Sequence, residues 1–553
     1  MENWSRKLWP PVVTTLILWS VVAVLLVRSL RGNQGHLVYA LDDPYIHMDL
    51  AKNLAQHGVW GITRYEFTYC SSSLLWTFLL SGINLVLGVN QVAPLVLNIL
   101  FATLILFCVS QLFQKHRPPL PSPYVFCVLV AMVFLTPMPS LIFAGLEHGL
   151  HALVTILFVH VSAKALSEES VELRVSAFAR LAALGMLITL IRFEGLFAVL
   201  VVCGLFFLKK RAPAAFLLGA LALLPVVIAG FISVRHGWFW LPNSVLLKGN
   251  LPSAASATPF ADFFGRAYLQ FVDYGRHITY LILTALLLYL HRRWKRGEVW
   301  ECGQLTISIF AATALLHMFL ARMGWFFRYE AYLIALGLFA LTPPIFEYLR
   351  EARRAVQWDL RELVGVAAIV VFACCLKLLA ATGQYAIGIT PRATTNIYQQ
   401  QYQMARFLKQ FYEGAPVGAN DVGAINFFAD IHCLDLYGLG NLEVAKEMLE
   451  GTYDTQRISE MTRARGIKVA IMYDHFFYAF GGLPKQWAKV GFWRVKNAVV
   501  LGGDTVFFYA VDAAEKPVLA AHLKQFAAQL PPGVEQHVYG DDDTNGSPAR
   551  PQR

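Results

Sequence analysis

Two adjacent carboxylates are the first residues whose type and spacing could do chemistry. Asp42 and Asp43 stand in Leu41-Asp42-Asp43-Pro44-Tyr45-Ile46-His47. Pro44 suits the first turn of a helix, which puts both acids at a helix N-terminus, where aligned peptide dipoles favour a carboxylate and lower its pKa. Both are therefore expected to be ionised. One cap takes one acid, so the second is left over for a cation, a base or a sugar hydroxyl, with ordinary capping as the plain alternative. His47 follows Asp43 by four residues on the same helix face, where the acid could orient its ring; a solvated histidine is the plain alternative there.

Four further polar groups fall at the ends of apolar stretches: Glu147 in Gly145-Leu146-Glu147-His148, Arg192 and Glu194 in Ile191-Arg192-Phe193-Glu194-Gly195, Asn243 and Lys248 after Leu241-Pro242, and Arg328-Tyr329 in Phe327-Arg328-Tyr329-Glu330. Singly, each could be a helix-end charge whose stem snorkels. Together they point to a polar cavity at a membrane interface. No zinc spacing exists among the Cys and His residues, and Asp42, Asp43 and Glu147 are the acids that could hold a divalent cation.

The elements that must position these groups are membrane helices. Of 553 residues, 57% are hydrophobic and 15% charged, a balance that excludes an ordinary soluble enzyme. Runs such as 11–27, 214–232 and 364–380 are long enough to cross about 30 Å of hydrocarbon. Further spans are expected near 72–88, 91–113, 122–140, 147–163, 176–191, 195–208, 213–233, 277–291, 304–320, 330–348 and 362–382. The fold class is thus a polytopic α-helical membrane protein with about 11–13 spans. The first run follows Met-Glu-Asn-Trp-Ser-Arg-Lys and reads as a retained anchor, not a cleaved signal.

The 46 basic residues exceed the 36 acidic ones by 10, but the bases gather in short loops at 115–117, 209–211, 291–296 and 350–354. There they set topology, so the positive balance gives no reason to invoke nucleic acid. The alternation of these loops places the first outer loop 29–71, the four polar groups and everything after 383 on the outer side. It also requires 72–113 to cross an odd number of times. Five of the eight cysteines lie in apolar runs; Cys70 and Cys433 do not, and could pair.

Residues 1–382 form the expected membrane domain, with the acidic motif in its first outer loop. Residues 383–539 shift to shorter apolar runs and read as an extracytoplasmic α/β domain, helical at 394–411, 443–466 and 514–529, with strands at 416–419, 469–473, 492–495 and 505–511. Tyr398, Tyr402, Tyr437, Phe476, Phe477 and Trp487 offer faces for sugar rings, although buried packing is the commoner use. Asp421 and Asp435 suit turns, caps or glycan contacts. The last residues, 540–553, have almost nothing apolar to bury and are expected to be disordered.

These motifs resemble, in the same order along most of the chain, those of the GT-C superfamily of integral-membrane glycosyltransferases, most of all the branch around the mycobacterial arabinofuranosyltransferases. Asp42-Asp43-Pro44-Tyr45-Ile46 matches that branch's Asp-Asp-x-Tyr/Phe-Ile motif after the first span. Ala51-Lys52-Asn53-Leu54 followed by Gly58 and Gly61 loosely matches its next segment. Its Gly-Leu-Glu, Arg-Pro-Glu-Gly, Leu-Pro-Asn and Arg-Tyr elements recur at Gly145-Leu146-Glu147, Arg192-Phe193-Glu194-Gly195, Leu241-Pro242-Asn243 with Lys248, and Arg328-Tyr329. Asp421-Val422-Gly423-Ala424-Ile425 and Leu434-Asp435-Leu436-Tyr437-Gly438-Leu439 continue the likeness. Phe193 departs from the usual Pro, and Tyr69-Cys70-Ser71-Ser72-Ser73 departs from the family's run before the second span.

The resemblance implies a GT-C fold and sugar transfer from a polyprenyl-phosphate-linked donor to a glycan or glycolipid acceptor at the outer face of the inner membrane. One of Asp42 and Asp43 would take the proton of the attacking hydroxyl. Arg192, Lys248 and Arg328 would meet the leaving phosphate, and His47, Glu147, Glu194, Asn243 and Tyr329 would line the substrate cavity. Direct displacement would invert the anomeric centre. The C-terminal domain would cover the cavity. A lipid or glycan transporter or flippase is the alternative that a dozen spans and interfacial charges leave open.

Overall fold

The computed structural model describes residues 2–116, 118–168, 174–249, 258–297, 300–352 and 359–540. The expected disordered tail, apart from Gly540, lies outside the described residues. Two compact units emerge, one from Met1–Ser29 and Ser71–Pro391, the other from Leu30–Cys70 and Arg392–Arg553. The acidic first loop was expected to belong with the membrane helices; instead it folds with the C-terminal part.

In the first unit, each expected span is helical. Among the described residues, seven helices are long and apolar enough to cross a membrane: Lys7–Gly32, Ala93–Lys115, His148–Ser167, Ala212–Arg235, Cys302–Leu320, Ala331–Ala352 and Leu360–Phe411. The pair Ser122–Leu135 and Met138–Ala144 is bent by 41° where Pro137 and Pro139 interrupt the amide ladder. Val175–Ile191 and Gly195–Leu208 are shorter apolar helices, and Arg276–Arg296 carries an apolar body with a basic end. Leu74–Leu87 has 14 residues, a length of about 21 Å that falls short of a hydrocarbon core. Its last turn turns Leu85, Val86 and Leu87 outward at 69%, 80% and 73% exposure, a surface suited to lipid and not to water. Inside, Gly337 lets the Phe310 ring approach so closely that a Cβ would sit 2.9 Å from it.

The second unit is an α/β sandwich around a six-stranded sheet. In chain order the strands are β1 (Pro416–Ala419), β2 (His432–Asp435), β3 (Val469–Met472), β4 (Ala488–Val495), β5 (Thr505–Ala510) and β6 (Val534–Val538). Their spatial order is β2-β1-β3-β5-β4-β6. The first three are parallel and the rest antiparallel. Helices Gln401–Phe411 and Lys516–Phe526 send Phe407, Leu408, Leu519 and Leu523 into the core on one face, where they meet Trp493 and Phe508. Leu442–Glu450 and Thr455–Ala464 cover part of the other face through Val444, Ile458 and Met461.

All four expected strands are present, and β2 and β6 are additional. The helical stretch expected over 443–466 is two helices, because Gly451 turns left-handed at φ 74° and the Asp454 carboxylate then accepts the Arg457 amide to start a new one. Cys70 and Cys433 are both buried in the same apolar core and are not joined by a disulfide. Tyr398, Phe477 and Trp487 are likewise core residues, not sugar platforms.

Candidate functional site

In the second unit the acid pair opens the helix Asp43–His57, as Pro44 predicts. The Asp42 side chain makes no capping bond to that helix. Its carboxylate turns to a segment 381 residues further on and accepts two amides, Gly423 N–H at Oδ2 and Ala424 N–H at Oδ1, each at 2.8 Å. These amides begin the short helix Ala424–Phe428, which follows β1 at the carboxyl ends of the parallel strands. Gly423 is required there, since a Cβ would lie 2.3 Å from the Asp42 carbonyl oxygen.

Expected to be ionised, Asp42 behaves otherwise. Burial, then the neighbouring Asp421, push its carboxyl up to about 8 against the pull of the two amides. The helix-end argument fails because the group lies beside a second acid in a part-buried place. Asp421 is held by Gln401 Nε2 at 2.8 Å and the Tyr473 hydroxyl at 3.1 Å, and Asn420 accepts the Tyr473 amide at 2.9 Å. Asp435 is a turn residue: its carboxylate takes the amides of Tyr437, Gly438 and Gly440, while burial outweighs these and raises it to about 6.

Asp43 is the first residue of its helix and stays partly exposed, and His47 is buried one turn further, which rules out the solvated reading of that ring. On the same helix, Asp49 is fully buried with Lys52 Nζ 3.4 Å away. Lys52 also donates to the carbonyls of Asn426 and Phe427 at 2.8 and 3.0 Å.

The first unit gathers a separate constellation from its interhelical loops. Arg192 donates to Glu147 and makes a forked contact with Glu194 at 2.6 and 3.2 Å. Burial opposes charge on Glu194, but Arg192 prevails and holds the carboxyl down at about 2. The guanidinium lies 5.8 Å from the Tyr329 ring, and Arg328 donates to the Tyr329 hydroxyl at 2.9 Å. His148 meets Tyr329 edge-on at 6.3 Å. Beneath this layer, His317 contacts the Tyr332 hydroxyl at 3.0 Å and His151 packs on the Tyr332 ring at 4.3 Å.

Arg328 and Tyr329 owe their position to an unusual turn. Gly324, Trp325, Phe326 and Phe327 are all left-handed, at φ 80°, 45°, 59° and 59°. For the three non-glycine residues this costs about 1–2 kcal/mol each. The Glu330 carboxylate anchors the turn by accepting the Gly324 amide at 3.0 Å, and burial raises that carboxyl to about 7.

A family model described as a domain of unknown function (DUF8728) matches residues 395–509. No curated protein matches the sequence. Among solved structures, the chain is similar to ArnT from Cupriavidus metallidurans bound to undecaprenyl phosphate, at 13% identity over 90% of this chain and 99% of that one, with a TM-score of 0.49. The apo form of the same protein gives 14% identity over 91% and 99%, with a TM-score of 0.48. The apo oligosaccharyltransferase of Archaeoglobus fulgidus gives 13% over 90% and 74%, with a TM-score of 0.47. At this identity and overlap the likenesses carry no residue roles.

Of the residues expected from sequence, Glu147, Arg192, Glu194, Arg328 and Tyr329 come together in the first unit. Asn243 is fully buried at the start of the helix Asn243–Lys248; the Lys248 side chain lies outside the described residues. Asp42, Asp43 and His47 belong to the second unit. Among the described residues, no group of three or more His, Cys, Asp or Glu side chains is placed to hold a metal. Sequence reasoning missed Lys52, Asp49, Gln401 and Tyr473, and the two amides that grip Asp42. The signal for those amides was present in Asp421-Val422-Gly423-Ala424, but nothing in it names a partner near residue 42.

Proposed function

We propose that this chain is a GT-C type membrane glycosyltransferase. It transfers a sugar from a polyprenyl-phosphate-linked donor to a glycan or glycolipid acceptor at the outer face of the inner membrane. The observation that carries this reading is the division of labour in the acid pair. Asp42 is committed to the Gly423 and Ala424 amides, which fixes the start of the helix and sets Asp43 at its partly exposed first position. A carboxylate so held is suited to accept a proton from a bound hydroxyl.

The acceptor oxygen then bonds to the anomeric carbon as the bond from that carbon to the phosphate oxygen breaks. Asp43 takes the proton, and polyprenyl phosphate leaves with the electron pair, so the centre inverts. In the first unit, the Arg328 guanidinium is of the type that pairs with phosphate. Arg192, engaged by Glu147 and Glu194, serves instead to fix those acids.

A panel of radiolabelled polyprenyl-phosphate sugars, offered to membranes containing the chain or its Asp43→Asn form, tests the proposal. Transfer from at least one donor, lost in Asp43→Asn at equal protein level, is expected. Absence of transfer from every donor, or equal turnover by both forms, overturns it. The outer location is read by placing a cysteine at exposed Lys496 and labelling intact spheroplasts with a membrane-impermeant maleimide. Labelling only after the membrane is opened would put the second unit in the cytoplasm.

A further inference from the structure

Beside the acid pair, five rings of the second unit form a continuous shelf. Tyr45, three residues after Asp42, meets Phe427 at 5.7 Å and Phe428 at 5.4 Å. Phe427 and Phe428 stand edge to face at 4.9 Å, and Tyr402 meets Phe428 at 4.8 Å. His36 packs on Tyr402 at 5.3 Å, with its Nδ1 3.3 Å from the Tyr402 hydroxyl. Tyr45 is buried and forms the base. Tyr402, Phe427 and Phe428 stay half-buried, and His36 is exposed.

The short helix that carries Phe427 and Phe428 is bound to Asp42 by hydrogen bonds. Phe427 and Phe428 end the short helix whose first amides Asp42 grips, and Lys52 donates to the Phe427 carbonyl. The shelf's chemistry is mixed, with ring faces beside a hydroxyl, an imidazole and carboxylates. A lipid chain would use only the rings. A sugar would use both, laying its C–H face on an aromatic ring while its hydroxyls reach the polar groups.

We propose that Tyr402, Phe427 and Phe428 hold the sugar ring of the acceptor beside Asp43 and so help select it. This rests on the transfer reading above, since a base must stand next to the hydroxyl it deprotonates, and the shelf is tied to the helix that carries the base.

Saturation-transfer NMR on the full-length protein in detergent, with methyl glycosides of common pentoses and hexoses as probes, tests the subsite without needing turnover. Saturation of ring C–H protons is expected for at least one glycoside. It should fall about fivefold in Phe428→Leu, the order expected when one ring face is removed, and persist in Phe428→Tyr. Equal saturation in Phe428→Leu and the parent overturns the proposal, as does saturation of no glycoside at all. Displacement by a polyprenyl-phosphate monosaccharide but not by the sugar-free lipid phosphate would assign the shelf to the donor's sugar. Displacement by the sugar-free lipid phosphate would assign it to the lipid. Either result overturns the acceptor assignment. A failure of the transfer reading would appear separately, in the Asp43→Asn comparison.

Discussion

Asp42 and Lys52 hold the two ends of one short helix. The carboxylate takes the amides at its start, Gly423 and Ala424, and the ammonium donates to the Asn426 and Phe427 carbonyls near its end. Acceptor oxygens thus meet the amides at its start, and a donor meets the carbonyls near its end. The acid-bearing helix and the sheet unit are thereby locked in register.

Removing one end of this clamp should cost stability before it touches chemistry. Lys52→Met removes the cation beside Asp49 and the donor to the Asn426 and Phe427 carbonyls and is expected to destabilise the protein by about 1–3 kcal/mol. Adding Asp49→Asn should recover part of that loss, so a double-mutant cycle by thermal unfolding would show coupling between the two. Strict additivity would mean that the contact contributes nothing.

The two neighbouring aspartates should respond differently to the same substitution. Asp43→Asn keeps shape but cannot accept a proton, so transfer should fall by 100-fold or more, on the order of a lost general base, with the melting temperature unchanged. Asp42→Asn presents an amino group to one of two amides and should destabilise by about 1–3 kcal/mol. Loss of activity in Asp42→Asn with full stability would exchange the two roles.

Arg192 is expected to be a structural residue. Arg192→Ala would leave Glu147 and Glu194 facing each other in a buried place, at about 3–5 kcal/mol, and should reduce the folded protein recovered from membranes. Arg328→Lys keeps the charge but not the fork; it should raise the donor KM while melting normally. The opposite pattern in the two variants would return the phosphate to Arg192.

The stability that Asp42 and Asp435 contribute should fall as pH rises. An unfolded aspartate titrates near 3.9, whereas folded Asp42 lies at about 8 and Asp435 at about 6. Between these values each of the two carboxyls binds more protons folded than unfolded, so raising the pH removes the stability they contribute. Through Asp42, melting temperature is expected to decline between about pH 6 and about pH 8 and then level. Asp42→Asn should flatten the part between about 6 and 8; an unchanged slope would show that Asp42 is already ionised there.

Local signals made much of this legible. Apolar run length located the helices, and Pro44 located the start of the acid helix. Alternating apolar residues located β1, β3, β4 and β5. The strands β2 and β6 escaped because His432, Glu535 and His537 interrupt short pairing segments with surface polarity. What sequence could not convey was partnership across distance. Arg192 finds Glu147 across 45 residues, and Asp42 finds its amides across 381. The helix-end estimate of the Asp42 charge is also wrong, because burial and then Asp421 outweigh the two amides that favour the charged form. The second pairing moved the acidic loop into the other unit as well.

The same separation sets a clock on biosynthesis. At about 5–20 residues per second, the ribosome needs roughly 20–80 s to travel from Asp42 to Gly423 and Ala424. Throughout that interval the acidic motif has been made but the amides that fix it have not. Any nascent chain released before Ala424 therefore carries Asp42 and Asp43 in sequence without the geometry that makes them distinct.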